Sequence, residues 1–467
     1  MSQTVFQGMV GDQEYRRLKD ALVQRLESGL SRIQGVKAPL PELKQSYEEA
    51  VKAVGKLRGR DLFYPYIGSG AGHGPFVELG DGSVKYDLIT GIGVNFFGHG
   101  HMEMFKATFD SLWCDVMQGN LGPNPEYVGL LQDLVGAVGP KSRLKHAWLT
   151  TCGATANETA LKIIRQKKSP ATRVFAFKDC FAGRTTALQE ITDNAAYRQG
   201  QPTYGEVHYL SYFDPKLKST AAEQAAIVVK QMKEELARNP GRYAMLEFEL
   251  VQGEGGFNVA PREFMVPILQ EAKAAGLGIW DDEVQTFGRC GEVFCFQRQG
   301  LDEFIDVVTV GKMLQNAAVL YTEEYNPKPG LVSGTFAGSS ASLRAAQWVL
   351  HELRDKFTGT NGRIAQLEKL TVSEFERLKK GPVGKHVTDY TVFGGMIAFT
   401  ALRGTLDDTK KLLFRLFENG VVAFYCGHGP HRVRMLPPFG IVTDTQWKEV
   451  FSIIEKSLGE TAKELGL

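Results

Sequence analysis

Short apolar runs alternate with longer helical patterns through the middle of this chain, and that alternation constrains the fold more than any other feature. Apolar runs of strand length begin near residue 145 and recur as far as residue 312, with helical spacing between them. The runs are HAWLTT, RVFAFKD, YAMLEFELV, LGIWDDEV and DVVTVGK, and the clearest helical patterns are NETALKIIRQ and PREFMVPILQEAKAAG. Strands and helices in this order form βαβ units, so we predict an α/β fold with a mostly parallel central sheet and flanking helices.

Further elements are predicted on both sides of this core. Two amphipathic helical patterns open the chain, and alternating runs flank Gly80-Asp81-Gly82, which is a hairpin signal. After about residue 340, two helical patterns precede a series of strands and helices. A chain of 467 residues suits domains of unequal size. We predict an N-terminal extension with helices and an antiparallel segment over residues 1–95, which packs with the small domain, a large domain over 96–335, and a small α+β domain over 336–467.

The composition favours a small-molecule partner. With 54 Lys and Arg against 53 Asp and Glu, the net charge is +1, so no long-range field steers the protein to nucleic acid or an anionic membrane. The chain has no run of about 18 apolar residues, and its first residues lack a basic start followed by an apolar run. Its six cysteines are scattered without a CxxC pair, as is typical of reduced cytosolic thiols. We therefore expect a cytoplasmic protein.

Polar residues end the predicted strands, where open α/β sheets bind their ligands. Asp282 follows the buried run GLGIW, and a carboxylate in that low dielectric needs a cationic partner. Lys312 ends the next strand, about 30 residues later, which is the length of one βαβ unit. Pyridoxal 5'-phosphate (PLP) requires these two groups, a lysine for the Schiff base and a carboxylate that keeps the pyridine nitrogen protonated. Asp282 and Lys312 are thus the predicted catalytic residues.

These strand ends also fit other interpretations. A lysine after a strand is commonly just solvated. The run Asp281-Asp282-Glu283 is also typical of a Walker B magnesium site, but the chain has no GxxxxGK[ST] loop to complete one. His99 and His101 in FFGHGHMEM, and Cys426, His428 and His431 in CGHGPH, lack an established metal-ligand spacing, so we predict no metal site.

The segment TTCGATANETALKII predicts an anion site. It passes from a strand through Gly153 into a helix, so the amides of Gly153 and Ala154 point outward at a helix N-terminus. A Gly-Ala turn before a helix is also common without any ligand. Opposite Lys312, it would accept the phosphate of PLP.

Seven segments, in order and spacing, resemble the class III aminotransferases, whose members include the ornithine, acetylornithine, 4-aminobutyrate and lysine 6-aminotransferases. They are CGATANETALK, FAGRT, FELVQGEGG, WDDEVQTFGRCG, VTVGK, SGTFAG and RMLPP, within roughly residues 60 to 455. DEVQT together with GK is the most specific part. The resemblance implies fold type I, with PLP bound in the large domain.

The resemblance also implies a role for each matched residue. Lys312 would hold PLP as the internal aldimine, and Asp282 would pair with the pyridine nitrogen. The other cofactor contacts are Val284 on one ring face, Phe181 on the other, Gln285 near the ring hydroxyl, Gly153 and Ala154 at the phosphate, and Thr335 at the phosphate of the neighbouring subunit. The last contact implies a homodimer with its active sites at the interface.

Three matched residues are implied in substrate binding. Arg184 matches an arginine that binds a substrate carboxylate, and Arg434 matches one that binds the α-carboxylate of glutamate or 2-oxoglutarate. Glu254 matches a glutamate that pairs with that second arginine when an ω-amine binds. The implied reaction moves the ω-amine of ornithine, acetylornithine or lysine to 2-oxoglutarate.

Several departures from the family pattern alter the pocket wall without removing a catalytic group. Where the family usually has a glycine-rich stretch after its lysine, this chain has GKMLQNAAVLY. This departure makes the chain slightly more similar to the lysine 6-aminotransferases. Ala182 stands where histidine or tryptophan is common, a glycine is missing before Phe287, and EPxQGE has become ELVQGE from Glu249. The sequence therefore does not determine the identity of the substrate. An aminomutase, a racemase or a decarboxylase on the same scaffold, or an inactive relative that acts as a binding protein, stay open too.

Overall fold

The computed structural model describes residues 3–467, which form two compact units that interleave along the sequence. The first unit consists of the chain up to Trp113, Gln366–Tyr425 and Gly429–Leu467, and the second consists of Cys114–Ala365 and Cys426–His428. Across residues 3–467, no helix combines the length and the apolar character that crossing a bilayer requires.

The first unit contains two four-stranded sheets and the helices that open and close the chain. Its helices are α1 (Val5–Gly11), α2 (Gln13–Leu30), α3 (Lys44–Arg58), the single turn α4 (Thr90–Gly93), α5 (Met102–Phe109), α13 (Arg363–Lys380), α14 (Leu406–Glu418) and α15 (Asp444–Glu464). Its strands are β1 (Gly68–His73), β2 (Phe76–Leu79), β3 (Val84–Asp87), β15 (Val387–Phe393), β16 (Met396–Ala401), β17 (Val421–Val422), β18 (Phe424–Cys426) and β19 (Arg432–Met435). The predicted N-terminal helices, the β2–β3 hairpin and the C-terminal α+β elements are confirmed.

The second unit is built on a seven-stranded sheet in the order β5-β13-β12-β11-β8-β6-β7. The strands are β5 (Leu144–Thr150), β6 (Arg173–Phe177), β7 (Val207–Leu210), β8 (Tyr243–Phe248), β11 (Gly278–Glu283), β12 (Val307–Val310) and β13 (Ala317–Thr322). The pairs on either side of β8 and β11 are parallel, and only β13 runs antiparallel to its neighbours. The predicted α/β fold with a mostly parallel sheet is confirmed.

Helices and two short ribbons complete the second unit. They are α6 (Pro125–Ala137), α7 (Gly153–Lys168), α8 (Leu188–Ile191), α9 (Ala221–Arg238), α10 (Arg262–Ala274), α11 (Cys295–Gln299) and α12 (Ser340–Glu352), with β4 (Met117–Gln118) paired to β14 (Gly338–Ser339) and β9 (Val251–Gln252) paired to β10 (Asn258–Val259). The apolar face of α7, including Leu161 and Ile164, packs on Met245 and Trp280 of the sheet. This packing fixes the first turn of α7 at the edge where the strands end.

Two strands of the large sheet were not predicted. β13 follows β12 after one tight turn, whereas the predicted pattern expects a helix between strands. Its sequence AAVLYT stands where the resemblance expects a glycine-rich stretch. A short apolar run has no distinctive period, so this segment does not identify itself as a strand. The edge strand β7 is only partly buried, so its apolar pattern is weak.

The unit boundaries at 113/114 and 365/366 lie beyond the predicted 95/96 and 335/336. In the first unit α5 packs on α2, and in the second α12 packs on α6 and pairs Arg344 with Glu126. These contacts join segments that are far apart in sequence, so no local composition shift marks the boundaries.

A buried hydrogen bond links the strands that carry Asp282 and Lys312. Trp280 Nε1 on β11 donates to Thr309 Oγ1 on β12 at 3.1 Å. We expect Thr309→Val to lower the free energy of unfolding by about 1–2 kcal/mol, because the Trp280 N–H is left unpaired. Thr322 is equally buried, but its hydroxyl has no hydrogen-bond partner among residues 3–467, so Thr322→Val should be neutral or stabilising. Urea unfolding measures the free energy of unfolding of both variants. Equal losses of stability in the two variants would contradict the prediction.

Candidate active site

Three adjacent strands end at one edge of the large sheet and bring the predicted catalytic residues together. In the register of β8, β11 and β12, Phe248 pairs with Asp281, and Asp282 pairs with Thr309. Lys312 follows β12 two residues after its end. β5, which runs parallel to β12 across the sheet, ends at the same edge and leads into Gly153. The carboxyl ends of parallel strands are where α/β sheets bind ligands.

Asp282 is buried and doubly hydrogen-bonded. Its Oδ1 accepts from the Val284 N–H at 2.9 Å, and its Oδ2 accepts from Asn157 Nδ2 at 2.6 Å. Burial raises the pKa of Asp282 to about 6, although the two donors and the charge of Lys312 act in the other direction. An additional cation beside this carboxylate would favour its ionised form.

Lys312 occupies a strained backbone position. Its φ is 49°, in the left-handed region that non-glycine residues rarely adopt, and it opens the tight turn between β12 and β13. Its positive charge lowers the pKa values of both Asp282 and Glu249, so the amine lies within electrostatic reach of two carboxyl groups. Strain of this kind is concentrated at functional sites, where the surrounding structure enforces it.

The first turn of α7 packs directly on Val284. A Cβ on Gly153 would lie 2.6 Å from Val284 Cγ1, and a Cβ on Gly311 would lie 3.4 Å from the same atom. Only glycine permits this approach at position 153. Val284 therefore lies between the start of α7, with the predicted anion-binding amides of Gly153 and Ala154, and the turn that carries Lys312.

Gln285 packs on the backbone of the turn between β9 and β10, at Gly253. A Cβ on Gly253 would lie 2.7 Å from the side-chain amide atoms of Gln285. Gln285 is buried, and its Oε1 has no hydrogen-bond partner within the described part of the chain. A buried amide oxygen without a partner is costly, so this atom is available to accept a hydrogen bond from a ligand.

Glu249 joins two loops of the site and was not assigned a role from the sequence. Its Oε1 accepts from the Phe181 N–H at 3.0 Å, and its Oε2 accepts from the Gly253 N–H at 2.9 Å. Burial, and then the charge of Asp282, raise the pKa of Glu249 to about 8, against the effects of these N–H donors and of Lys312. Glu249 thereby positions both Phe181 and the turn that leads to Glu254.

Phe181 and Arg184 belong to one aromatic cluster. The Arg184 guanidinium lies 3.9 Å from the ring centroid of Tyr197 and 5.9 Å from that of Phe181, and the two rings meet edge to face. Arg184 is exposed, so its donors can reach a ligand while the aromatic faces hold the guanidinium in place.

The remaining predicted site residues have different surroundings. Glu254 is half-buried in the turn between β9 and β10, and its backbone oxygen accepts from the Gly427 N–H at 2.9 Å. Thr335 lies on an exposed loop, where its backbone oxygen approaches Gly119. Arg434 is fully buried in β19 of the first unit.

Two further polar residues of the site escaped the sequence analysis. Asn157 is one helical turn after Gly153, and this i+4 spacing is a signal that could have identified it. Glu247 on β8 is fully buried, and neither of its carboxyl oxygens has a partner among residues 3–467. Burial, reinforced by Asp282 and Glu249, raises the pKa of Glu247 well above its ordinary value. Glu247 lies within an apolar strand and not at its end, so the sequence pattern does not indicate a site residue at this position.

The histidine segments pair with carboxylates. His99 Nε2 lies 3.0 Å from Asp87 Oδ2, and His428 Nδ1 lies 2.8 Å from Asp179 Oδ1. Over residues 3–467, no group of three or more His, Cys, Asp or Glu side chains is arranged to hold a metal ion.

The sequence and the fold both match known proteins. A family model described as aminotransferase class-III matches residues 65–458. A 2-aminoadipate transaminase of Pseudomonas putida is 29% identical over 83% of this chain and 95% of its own length, and an acetylornithine aminotransferase of Bacillus subtilis is 31% identical over 79% and 90%. The solved lysine aminotransferase from M. tuberculosis, in its internal aldimine form, covers 88% of this chain and 99% of its own, with a TM-score of 0.78 at 20% identity. The ornithine aminotransferase from Toxoplasma gondii covers 89% and 96%, with a TM-score of 0.75 at 21% identity.

The raised pKa of Glu249 predicts a pH dependence for the protein without ligand. The unfolded chain ionises this group near its ordinary value of 4.5, whereas the folded protein retains the proton to about 8. Between these values the folded state binds more protons, so stability falls as the pH rises. Glu249→Gln should flatten this decline by up to a few kcal/mol between about pH 5 and about pH 8.

Urea unfolding at several pH values measures that slope. Glutamine cannot accept both backbone N–H bonds, which lowers stability at every pH, so the slope and not the absolute stability is diagnostic. Glu223 provides the matched control, because it is exposed and its hydrogen bonds with Thr220 hold its pKa below the ordinary value. Glu223→Gln should leave the slope unchanged. An unchanged slope in Glu249→Gln would contradict the prediction.

Proposed function

The chain belongs to the class III aminotransferases, which depend on PLP, and from this premise we propose that it transfers the ω-amine of a basic amino acid to 2-oxoglutarate. The predicted fold type I and the predicted cofactor are confirmed by the comparisons. Relatives named for acetylornithine, lysine and ornithine support a basic donor such as ornithine, acetylornithine or lysine. The observation that carries the proposal is the convergence of Lys312 and Asp282 at one sheet edge.

The side chains at this edge fit PLP. Asp282 is a buried carboxylate that a pyridinium nitrogen would keep ionised, and Gln285 Oε1 is a buried acceptor suited to the ring hydroxyl. Gly153 and Ala154 begin a 16-residue helix, and their N–H groups would donate hydrogen bonds to the phosphate. Bound PLP supplies an electron sink for the carbanion that forms when the substrate loses its proton.

Lys312 has two proposed tasks. Its Nζ would hold the cofactor, and it would remove and return the proton at the substrate carbon as general base and acid. The charge of this amine acts on the nearby carboxyl groups of Asp282 and Glu249, whose pKa values it lowers. Val284 and Phe181 are proposed to limit the two faces of the ring space.

The substrate contacts extend the proposal. Arg184 is proposed to bind a substrate carboxylate with its stacked guanidinium, and Glu254 is proposed as a further substrate-binding residue, as the resemblance implies. Arg434 is proposed to bind the α-carboxylate of 2-oxoglutarate, for which a bidentate guanidinium is suited.

A half-reaction screen tests the function. The PLP-loaded protein is mixed with single amino acids without an acceptor, and we expect ornithine, acetylornithine or lysine to change its visible absorbance and 2-oxoglutarate to restore it. Lys312→Ala should abolish turnover, whereas Lys178→Ala, at another strand end, should leave it intact. Turnover by Lys312→Ala would refute the assignment of Lys312. Full product formation without an acceptor would indicate an aminomutase, a racemase or a decarboxylase instead.

We also propose a homodimer, supported by an exposed apolar patch in the second unit. This apolar patch consists of Val116, Met117, Leu121, Val128 and Phe336, whose exposed fractions are 39–101%. The β4–β14 ribbon brings its two segments together, and Thr335 lies beside Phe336 in the same loop. Exposed apolar surfaces of this kind mark protein interfaces. A partner subunit on this surface would cover Thr335, in keeping with its predicted contact with the neighbouring subunit.

Disruption of the apolar patch should separate the subunits. We expect Leu121→Asp to shift the protein from dimer to monomer in sedimentation velocity, because it places a charge in a desolvated interface. Ile227, 54% exposed on α9, offers the control, and Ile227→Asp should leave the dimer intact. A wild-type protein that sediments as a monomer would overturn the proposal.

A further inference from the structure

His428 is held at the same edge of the sheet by an ion pair. Its Nδ1 lies 2.8 Å from Asp179 Oδ1, and its Nε2 lies 3.4 Å from Asn194 Nδ2. The histidine side chain is 33% exposed and Asp179 is 46% exposed, so a ligand can approach the pair. Asp179 lies just after β6, two residues before Phe181. Asp179 is therefore close along the chain to Phe181, which is proposed to limit one face of the ring space.

The loop of His428 is tied to Glu254. The preceding Gly427 donates its N–H to the Glu254 backbone oxygen at 2.9 Å, and a Cβ on Gly256 would lie 3.5 Å from Gly427 Cα. The negative charges that act on the imidazole are Asp179, Glu254 and Asp193. When it is protonated, the imidazole is thus a cation among three carboxylates. Arg184, on the same loop as Asp179, stacks on Tyr197 instead.

We propose that His428 is a specificity-determining residue that sets the charge balance of the substrate side and favours dicarboxylate oxo acids over diamines. The proposal rests on the proposed function, which places Glu254 and Arg184 beside the substrate. A dianionic oxo acid must approach Asp179, Asp193 and Glu254, and the positive charge of His428 reduces that repulsion. A dicationic amine experiences the opposite effect.

The ionisation of His428 makes this balance depend on pH. The hydrogen bond to Asp179 raises its pKa above the ordinary value, with smaller contributions from Glu254 and Asp193, while burial acts against them. The imidazolium is present below this raised pKa and is lost as the pH rises through it. Preference for the dicarboxylate therefore decreases toward alkaline pH.

Binding of two unreactive probes tests the proposal. Glutarate and 1,5-diaminopentane are titrated by calorimetry into the protein loaded with pyridoxamine phosphate, which reacts with neither. In His428→Gln we expect the Kd of glutarate to rise and that of the diamine to fall, each about three- to fivefold, the size expected for a partly exposed charge pair. His428→Lys should retain the wild-type preference. Wild type at about pH 9 should approach His428→Gln, whereas at about pH 6 it should not.

His146 provides a matched control. It pairs with Glu323 at 2.8 Å and has the same 33% exposure. Glu323 follows the end of β13, which runs antiparallel to β12, so this pair lies at the opposite edge of the sheet. His146→Gln should change neither Kd. If both Kd values rise together in His428→Gln and His428→Lys, the role is structural and the proposal fails. It also fails if neither changes. Failure of the half-reaction screen would remove the proposed donor, whereas opposite shifts of the two probes would still establish the charge effect of His428.

Discussion

Burial of the Asp282 carboxylate at a strand end is the constraint on which the rest of the site depends. In that low dielectric the charged form is costly, which is why its pKa rises to about 6 even with two hydrogen-bond donors. Lys312 on the next strand offsets part of the cost. A protonated pyridine nitrogen would offset more. The same electrostatic demand accounts for the nearby lysine and the donor Asn157, and it would suit a cationic cofactor ring.

Close backbone packing places these charges with little freedom. Val284 contacts the turn at Gly153 and approaches Gly311, so the start of α7, the end of β11 and the turn after β12 form one rigid arrangement. Glu249 extends it to the loop of Phe181 through two backbone N–H groups. Rigid placement of charged groups is what electrostatic catalysis requires, because the site need not reorganise as charge develops.

The second unit separates two kinds of electrostatic environment. Around Lys312 the carboxyl groups are buried, and those of Glu247 and Glu249 have raised pKa values, so proton occupancy there depends strongly on what binds. Near Glu254 the groups are partly exposed and include the imidazole of His428. The proposed chemistry belongs to the first environment, and the proposed discrimination between charged substrates belongs to the second.

The sequence by itself determined the α/β fold, the parallel core strands and the convergence of Asp282, Lys312 and Gly153, because apolar period and strand-end polarity are local properties of the chain. Only the tertiary structure decided the antiparallel β13, the unit boundaries and the contacts of Asn157 and Glu249. His428 and Asp179 are 249 positions apart, and the sequence offered His428 only as a weak metal candidate. Such contacts depend on how distant segments pack, and no local pattern encodes the distance between them.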